Sequence, residues 1–362
     1  MLYRKLGRTG LDVSVLGLGT MTYGEQNTES EGHAQMDAAL AHGINFFDTA
    51  ELYSIPPRPE TMGSTERIIG TWLASRKCRD KVIVATKAVG RTAMPWFREG
   101  GVPARVTYAQ LASAVDASLT RLQTDYIDLY QLHWPDRPTP FGANPTRYRQ
   151  AEFSGEPSKV GERGVVDGPD EPFEDQLDAL GRLVAAGKIR HVGVSNESAW
   201  GVMRFLAEAN ARGLPRVQSV QNAYNMLNRT FDTALAEIAM REEVGLIAYS
   251  PLGQGYLTGK YLDGARPAGA RNTLFNRGQR YELPGTETAI RAYLEIARNA
   301  GLDPSQMAIR FVADQPFVAS VLIGATTMPQ LEIAMASLDN ALATDVAAAI
   351  DAVHQLHGNP AP

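Results

Sequence analysis

The stretch Asn45-Phe46-Phe47-Asp48-Thr49-Ala50-Glu51-Leu52-Tyr53 joins a short apolar, strand-like run to an acid and then to a tyrosine one loop later. In a repeating strand–helix chain, this pattern puts a carboxylate at the C-terminal end of a strand and a phenol in the loop above it. Such folds keep their chemistry at that end. Alone the stretch indicates little, because Asp beside Thr-Ala is also an ordinary helix cap. Two further residues at equivalent strand ends, Lys87 and His133, give it weight.

Short apolar strands alternate with helical patterns along the whole chain. They are predicted to end near Gly19, Asp48, Lys87, His133, Ser195, Asn222, Tyr249 and Ile323. Eight strand–helix units in roughly 300 residues predict an α/β fold, a closed parallel (β/α)8 TIM barrel. A doubly wound dinucleotide-binding domain is excluded, because it expects a Gly-x-Gly-x-x-Gly turn leading into a helix. The segment Gly17-Leu18-Gly19-Thr20-Met21-Thr22 lacks the third glycine.

The remaining patterns complete one domain over residues 1–362. Leu2–Leu6 and Leu11–Val15 flank a Gly-Arg-Thr-Gly turn and predict an N-terminal β-hairpin. Two long loops, Pro135–Pro172 and Ser250–Gly285, are expected beside the strand ends. Helices are predicted over Ser30–His42, Ser64–Arg76, Tyr108–Leu122, Phe173–Ala186, Ala199–Arg212, Asp232–Glu243, Thr286–Ala300, from Pro304, over Pro329–Leu338 and over Thr344–Leu356, the last two being extra C-terminal helices.

Composition excludes several classes of protein. The chain has 362 residues, 44% hydrophobic and 21% charged, with a net charge of -5 and acids and bases interspersed. No basic face indicates nucleic acid or an anionic membrane as a partner. Met1–Gly7 has no apolar core of signal-peptide length, and we expect a cytoplasmic protein. The single cysteine, Cys78, lies among charged residues, and an incidental surface position is favoured over a reactive thiolate.

Asp48, Tyr53, Lys87 and His133 would meet at neighbouring strand ends. Each alone has a structural interpretation: a helix cap, a packing ring, an ion-pair partner and a core histidine. Together they suggest proton delivery to a carbonyl oxygen. A phenol with a pKa of about 10 is a poor acid, and an adjacent ammonium is expected to lower that pKa. A carboxylate would hold the lysine, and a histidine would orient the substrate oxygen.

This set contains no nucleophile paired with a base. Asp48 and His133 alone are also too few ligands for a metal site, so no metal is predicted. If the reaction uses a hydride, that hydride must come from a cofactor.

The sequence resembles the aldo-keto reductase superfamily, and within it the bacterial Tas-like NADP(H)-dependent enzymes. The motifs that carry the resemblance are Leu16–Gly24, Asp48–Tyr53, Gly193–Asn196, Gln221-Asn222, Ala248–Tyr261 and Ile323–Thr327, and the similarity covers essentially the whole chain. The family's catalytic tetrad of Asp, Tyr, Lys and His falls on Asp48, Tyr53, Lys87 and His133. The resemblance implies an oxidoreductase of the carbonyl reductase (alcohol dehydrogenase) type.

The resemblance also implies NADPH lying across the barrel top, with NADH as a weaker alternative. Ser195, Asn196 and Gln221 would hold the carboxamide, Tyr249 would stack on the nicotinamide, and Thr20 and Met21 would lie alongside. Ser250, Leu252 and Gly253 would contact the pyrophosphate, Lys260 and Arg271 the phosphates, and Gly324, Thr326 and Gln330 the adenosine end. From the residues alone, Ser195 is as readily a helix cap, and core packing is the stronger interpretation of Tyr249.

The chain departs from the family pattern after Gln330. Glu-Asn usually binds the adenine there, whereas this chain has Ile333 and Ala334. NADPH preference over NADH therefore depends on cations near the 2′-phosphate. Lys260 and Arg271 are candidates, and Arg266, Arg277 and Arg280 are nearby in sequence but unassigned.

The substrate is predicted to be a small aldehyde or ketone. Tyr23, Trp96 and Trp134 could form an apolar wall around it, although aromatics at loop bases are as often structural. No surface pattern decides the oligomeric state.

Two other classes of function compete with this reading. The β subunits of potassium channels share the fold and act as partner-binding modules, but they typically have Asn at the position of His133. A metal-dependent barrel hydrolase or isomerase would need acid and histidine clusters at several strand ends, and only His133 of the 6 histidines is predicted at one.

Overall fold

The computed structural model describes residues 1–137, 139, 168–339 and 341–362. It begins with the predicted antiparallel hairpin, formed by β1 (Tyr3–Lys5) and β2 (Asp12–Ser14). Leu6 and Val13 of the hairpin are fully buried in the apolar cluster that fills one end of the barrel interior. The hairpin therefore closes the N-terminal end of the barrel, opposite the predicted site.

Eight parallel strands form a closed barrel, which confirms the predicted fold. They are β3 (Leu16–Gly19), β4 (Phe46–Asp48), β5 (Ile83–Ala88), β6 (Ile127–Leu132), β7 (Ile189–Ser195), β8 (Val217–Ala223), β9 (Gly245–Tyr249) and β10 (Val318–Ile323). Neighbours in sequence are neighbours in space, and β10 pairs with β3 to close the ring. Polar residues predicted at strand ends consequently share one rim.

Helices surround the barrel close to where the sequence predicts them. They are α1 (Glu29–Ala41), α2 (Ser64–Arg76), α3 (Tyr108–Leu122), α4 (Phe173–Ala185), α5 (Ala199–Arg212), α6 (Leu235–Glu242), α7 (Arg271–Phe275), α8 (Thr286–Asn299), α9 (Pro304–Ala313), α10 (Met328–Met335) and α11 (Thr344–His357). The largest buried apolar cluster lies between their inner faces and the strands. Within the described part of the chain, no helix is long and apolar enough to cross a membrane.

The barrel interior changes from apolar to polar along the strands. Side chains two residues apart on a strand face the same side, so each strand sends alternate residues inward. Four strands carry an interior apolar residue and then a polar one two positions later: Phe46 and Asp48, Ala85 and Lys87, Leu129 and Gln131, Ile247 and Tyr249. The apolar layer forms the floor, and the polar layer forms the base of the site.

Two predictions about segments need revision. The expected loop Ser250–Gly285 contains α7 and three short 3-10 turns, Gly253–Thr258, Leu262–Gly264 and Gln279–Tyr281. Of the other predicted loop, Pro135–Pro172, residues 138 and 140–167 lie outside the described residues.

Cys78 is buried, so the prediction of a surface position was wrong. It packs in the main apolar cluster, and burial raises the pKa of its thiol. The charged residues on either side of Cys78 suggested an exposed segment, whereas the Cys78 side chain itself points into the core.

Candidate active site

A buried ion pair lies at the base of the strand-end rim. The Lys87 ammonium donates to Asp48 Oδ2 at 2.7 Å and to the Thr49 carbonyl oxygen at 2.8 Å. Side-chain exposure is 0% for Lys87 and 3% for Asp48. Burial lowers the pKa of Lys87, while the contact with Asp48 acts in the opposite direction. The two strands thus hold one shielded ammonium beside the loop that carries Tyr53.

Tyr53 and His133 lie above this pair. The Lys87 ammonium nitrogen is 5.1 Å from the centre of the Tyr53 ring, and the His133 ring meets that ring edge-on at 5.7 Å. The structure therefore brings all four predicted residues together.

The expected lowering of the Tyr53 pKa was wrong for this structure. Burial raises that pKa well above its ordinary value, and the Asp48 carboxylate adds to the effect. A phenol is protonated at neutral pH even at its ordinary pKa of about 10, and burial makes loss of the Tyr53 proton harder still.

Two glutamines complete the hydrogen bonding of Asp48. Gln221 donates from Nε2 to Asp48 Oδ1 at 2.7 Å, and Gln131 donates to the same oxygen at 3.4 Å. Gln221 was predicted only as a cofactor contact, and Gln131 was not singled out. Because Gln131 follows Leu129 by two residues, the same alternation that selects Lys87 and Asp48 could have identified it.

The predicted carboxamide site is a connected polar group. Asn196 donates to the His133 carbonyl oxygen at 2.8 Å and accepts from the Tyr249 hydroxyl at 2.7 Å. Ser195 donates from its hydroxyl to the Gln221 carbonyl oxygen at 2.8 Å, so it is not the helix cap that was its alternative. Ser198 caps α5 instead. Asn196, which was predicted to contact the cofactor, thus contacts His133, one of the four predicted catalytic residues.

Thr20 and Met21 lie beside this group, at the end of β3. Thr20 is fully buried and donates from its hydroxyl to the Asp48 carbonyl oxygen at 2.7 Å. Met21 contacts Arg271, with 3.6 Å between its sulfur and Nη1. Thr20 therefore fixes the rim, and Met21 bridges it to the segment that carries the predicted phosphate contacts.

Three cations of that segment, Lys260, Arg271 and Arg277, form what we call the cation cluster. In the described part of the chain, none of the three forms an ion pair with a carboxylate. Burial lowers the pKa of each, and repulsion from Arg271 and Arg277 adds to the effect on Lys260 and Arg271 respectively. Like charges held together without counterions favour an anionic ligand. The cluster therefore fits the phosphates of a dinucleotide.

The other two arginines nearby are engaged elsewhere. Arg266 pairs with Glu282 at 2.7 Å on the surface. Arg280 lies against the hydroxyls of Tyr249 and Tyr281.

The predicted pyrophosphate loop begins with a sharp change of direction. Ser250 and Gly253 both have left-handed backbone angles, with φ of 56° and 54°, and Gly253 donates to the Ser250 carbonyl oxygen at 2.9 Å. Leu252 lies between them, half-buried against the main apolar cluster. Glycine accommodates such an angle without steric cost, whereas serine does so at a cost. The chain therefore makes a tight turn directly after β9.

The predicted adenosine end lies where β10 meets α10. Gln330 accepts from the backbone and hydroxyl of Thr326 at 3.2 and 3.1 Å, and Gly324 is exposed. Ile333 is 40% exposed, whereas Ala334 is 4% exposed and packs in the core. Of the two positions that differ from the family pattern, only Ile333 is therefore accessible to a ligand.

The predicted substrate wall is only partly assembled. Trp96 and Trp134 join one apolar cluster at the barrel mouth together with Tyr53. Tyr23 is fully buried in the helix–strand core, and its hydroxyl donates to Gln35 of α1 at 3.0 Å. Tyr23 does not share a surface with the two tryptophans. Among the described residues, no group of three His, Cys, Asp or Glu side chains could hold a metal ion.

Comparison with known proteins adds an independent observation. The model of the aldo/keto reductase family matches residues 15–355. Protein Tas of Escherichia coli K12 is 50% identical over the whole of both chains. An aldo-keto reductase of Babesia bovis is 38% identical over 69% of this chain and 87% of its own. A probable voltage-gated potassium channel subunit beta of Arabidopsis thaliana is 28% identical over 94% of this chain and 92% of its own.

Proposed function

The chain belongs to the aldo/keto reductase family, and from this premise we propose that it reduces aldehydes or ketones to alcohols with NADPH. Family membership gives an oxidoreductase that acts on carbonyl groups, in a family that generally uses NAD(P)H. Beyond family membership, we propose NADPH as the cofactor, and Asp48, Tyr53, Lys87 and His133 as the catalytic residues. Residues 1–362 are proposed to form one catalytic domain. The observation that carries it is the buried Lys87–Asp48 pair directly beside Tyr53 and His133.

Tyr53 is the proposed proton donor. Burial raises the pKa of Tyr53, so the hydroxyl is protonated at neutral pH but can donate its proton only if the resulting phenolate is stabilised. While the carbonyl oxygen gains negative charge, the O–H bond of Tyr53 breaks and the proton forms the O–H bond of the alcohol. Lys87 then stabilises the phenolate that remains, and Asp48 keeps Lys87 charged despite burial. His133 orients the substrate oxygen toward Tyr53.

The residues proposed to hold the cofactor fall into two groups. Asn196, Gln221 and Tyr249 would bind the nicotinamide end, while the cation cluster would bind the phosphates. When bound, NADPH supplies the hydride for the carbonyl carbon. The chain's own residues orient the carbonyl, provide its proton and exclude water through the apolar wall of the mouth.

NADPH is proposed over NADH because three cations lie in one segment and have no carboxylate partner among the described residues. The extra 2′-phosphate of NADPH would gain most from such a group. Small aldehydes and ketones are the proposed substrates, with Trp96 and Trp134 as the wall beside Tyr53.

A cofactor-binding module is the second candidate, because the Arabidopsis relative carries the name of a potassium channel subunit. The experiment that separates the two is a tryptophan fluorescence titration with NADPH and with NADH, followed by an NADPH-oxidation assay on a panel of carbonyl compounds. Binding with turnover of an aromatic aldehyde supports the reductase. Binding without turnover of any panel member supports the module, and binding of neither nucleotide contradicts both.

A further inference from the structure

The loop that carries Tyr53 continues the hydrogen-bond ladder of the barrel beyond the end of β4. Thr49 donates from its backbone to the Ala85 carbonyl oxygen at 2.8 Å, and Glu51 donates to the Lys87 carbonyl oxygen at 3.1 Å. The next donor in line, directly after the end of β5, is the backbone N–H of Val89. It donates at 2.7 Å to the Glu51 side chain, which takes the place of a backbone carbonyl. The Glu51 carboxylate therefore ends the ladder where the chain turns toward Tyr53.

Arg98 holds this carboxylate from the following loop. Its two terminal nitrogens donate to Glu51 Oε2 and Oε1, each at 3.1 Å, in a bidentate pair. The exposed fraction of each side chain is about one-twentieth, 5% for Arg98 and 4% for Glu51. Arg98 also donates to Gln110 of α3 at 3.2 Å. The pair thus ties the Tyr53 loop to the loop after β5 and to the helix that follows.

We propose that Glu51 and Arg98 are positioning residues that hold Tyr53 against Lys87, a role that rests on the proposed function of Tyr53 as proton donor. Tyr53 follows Glu51 by two residues, and its ring centre lies 5.1 Å from the Lys87 ammonium. An apolar pair of similar volume would be about as stable in a buried position, so stability alone does not account for two buried charges. A planar, bidentate pair fixes both distance and angle between two loops.

The N-terminal end of β5, at the opposite end of the barrel from Tyr53, offers a matched control. Asp128 is buried, accepts from the backbone N–H of Val84 at 3.0 Å and pairs with Arg79 at 2.7 Å. Like Glu51, Asp128 combines a buried carboxylate with arginine and a backbone N–H, but it lies at the closed end of the barrel and pairs with a second arginine, Arg190, at 2.9 Å. Removal of the Asp128 charge should lower the melting temperature and leave Tyr53 in place.

The test compares Glu51→Gln, Arg98→Met, the double variant of both, and Asp128→Asn in the full chain. Melting temperature, NADPH affinity by fluorescence, kcat, KM and the solvent deuterium isotope effect on kcat are measured with an aromatic aldehyde. A misplaced acid lowers kcat on the order of 100-fold in the three site variants, with NADPH affinity unchanged and a larger solvent isotope effect. The double variant recovers melting temperature relative to Arg98→Met, because no unpaired carboxylate remains, but not kcat. Asp128→Asn loses melting temperature and keeps kcat.

A purely structural role predicts a different pattern. If kcat follows melting temperature across all variants, so that the double variant recovers both, the positioning role is wrong. Tyr53→Phe is assayed in parallel to separate the two claims. If Tyr53→Phe is inactive while the Glu51 and Arg98 variants turn over normally, the positioning claim alone fails; if Tyr53→Phe turns over normally, the proposed function fails.

Discussion

Lys87 Nζ lies 2.7 Å from Asp48 Oδ2, and the two side chains are almost completely shielded from solvent. Removing two charges from water costs several kcal/mol for each ion, and their attraction offsets this only with good geometry and further hydrogen bonds. Here Thr49 and Gln221 supply those bonds. The pair is therefore a costly arrangement that the proposed chemistry uses.

Breaking this pair should cost stability as well as activity. Lys87→Met leaves the Asp48 carboxylate buried with only amide partners, and we expect a loss of about 3–5 kcal/mol in the free energy of unfolding. Urea denaturation of Lys87→Met beside Asp48→Asn/Lys87→Met measures it. The double variant should recover most of the stability and remain inactive. Equal stability of the single variant and the wild type would contradict the buried pair.

The cation cluster should determine NADPH affinity. Arg271→Met removes a charge-assisted contact worth about 1.5–3 kcal/mol, so the Kd for NADPH should rise at least about tenfold. Lys260→Met and Arg277→Met test the other members. Arg266→Met is the matched control, because Arg266 already pairs with Glu282. Fluorescence titration at two salt concentrations measures the effect, and an equal loss in Arg266→Met would overturn the assignment.

The two positions that depart from the family pattern should respond differently to restoration. Ile333 is exposed, so Ile333→Glu should change stability by no more than about 0.5 kcal/mol. It should raise the affinity for NADPH and NADH alike, because adenine is common to both. Ala334 is buried, and Ala334→Asn should destabilise the protein by about 1–3 kcal/mol. Melting curves and titrations of both variants check this, and a neutral Ala334→Asn would contradict the packing described.

Alkaline pH should unfold the protein through its buried tyrosines. Burial is the main cause that raises the pKa of Tyr130, Tyr224 and Tyr281, and it raises that of Tyr293 to about 12. Unfolded tyrosine loses its proton at about pH 10, so above that pH the unfolded state binds fewer protons than the folded state. The stabilisation is thus complete below about pH 10 and is lost as the pH rises further.

Absorbance of tyrosinate and circular dichroism, recorded together from neutral to strongly alkaline pH, measure this. The buried set should ionise only as the dichroism is lost. Ionisation of the whole set in a protein with native dichroism would contradict the prediction.

The fold follows from the sequence because alternation of apolar strands and amphipathic helices is a periodic signal. The predicted ranges Ser64–Arg76, Tyr108–Leu122 and Ala199–Arg212 agree with the structure to the residue. The segment Ser250–Gly285 was missed because its 3-10 turns and left-handed residues, including Ser250, have no such period.

Part of the candidate site was also accessible from the sequence, since strand ends of a barrel share one rim. Gln131 follows the same two-residue alternation as Lys87, so the sequence alone could have predicted it as a site residue. Arg98 was not, because its contact with Glu51 joins two irregular loops 47 residues apart in sequence. Contacts of that kind require the three-dimensional structure.

The most direct test of the account is single-turnover oxidation of NADPH by Tyr53→Phe with an aromatic aldehyde, beside the wild type. We expect Tyr53→Phe to bind NADPH with unchanged affinity, because the cation cluster and Asn196 are intact, and to lose hydride transfer because no proton reaches the carbonyl oxygen. Oxidation of NADPH by Tyr53→Phe at the wild-type rate would contradict the central claim that Tyr53 is the acid.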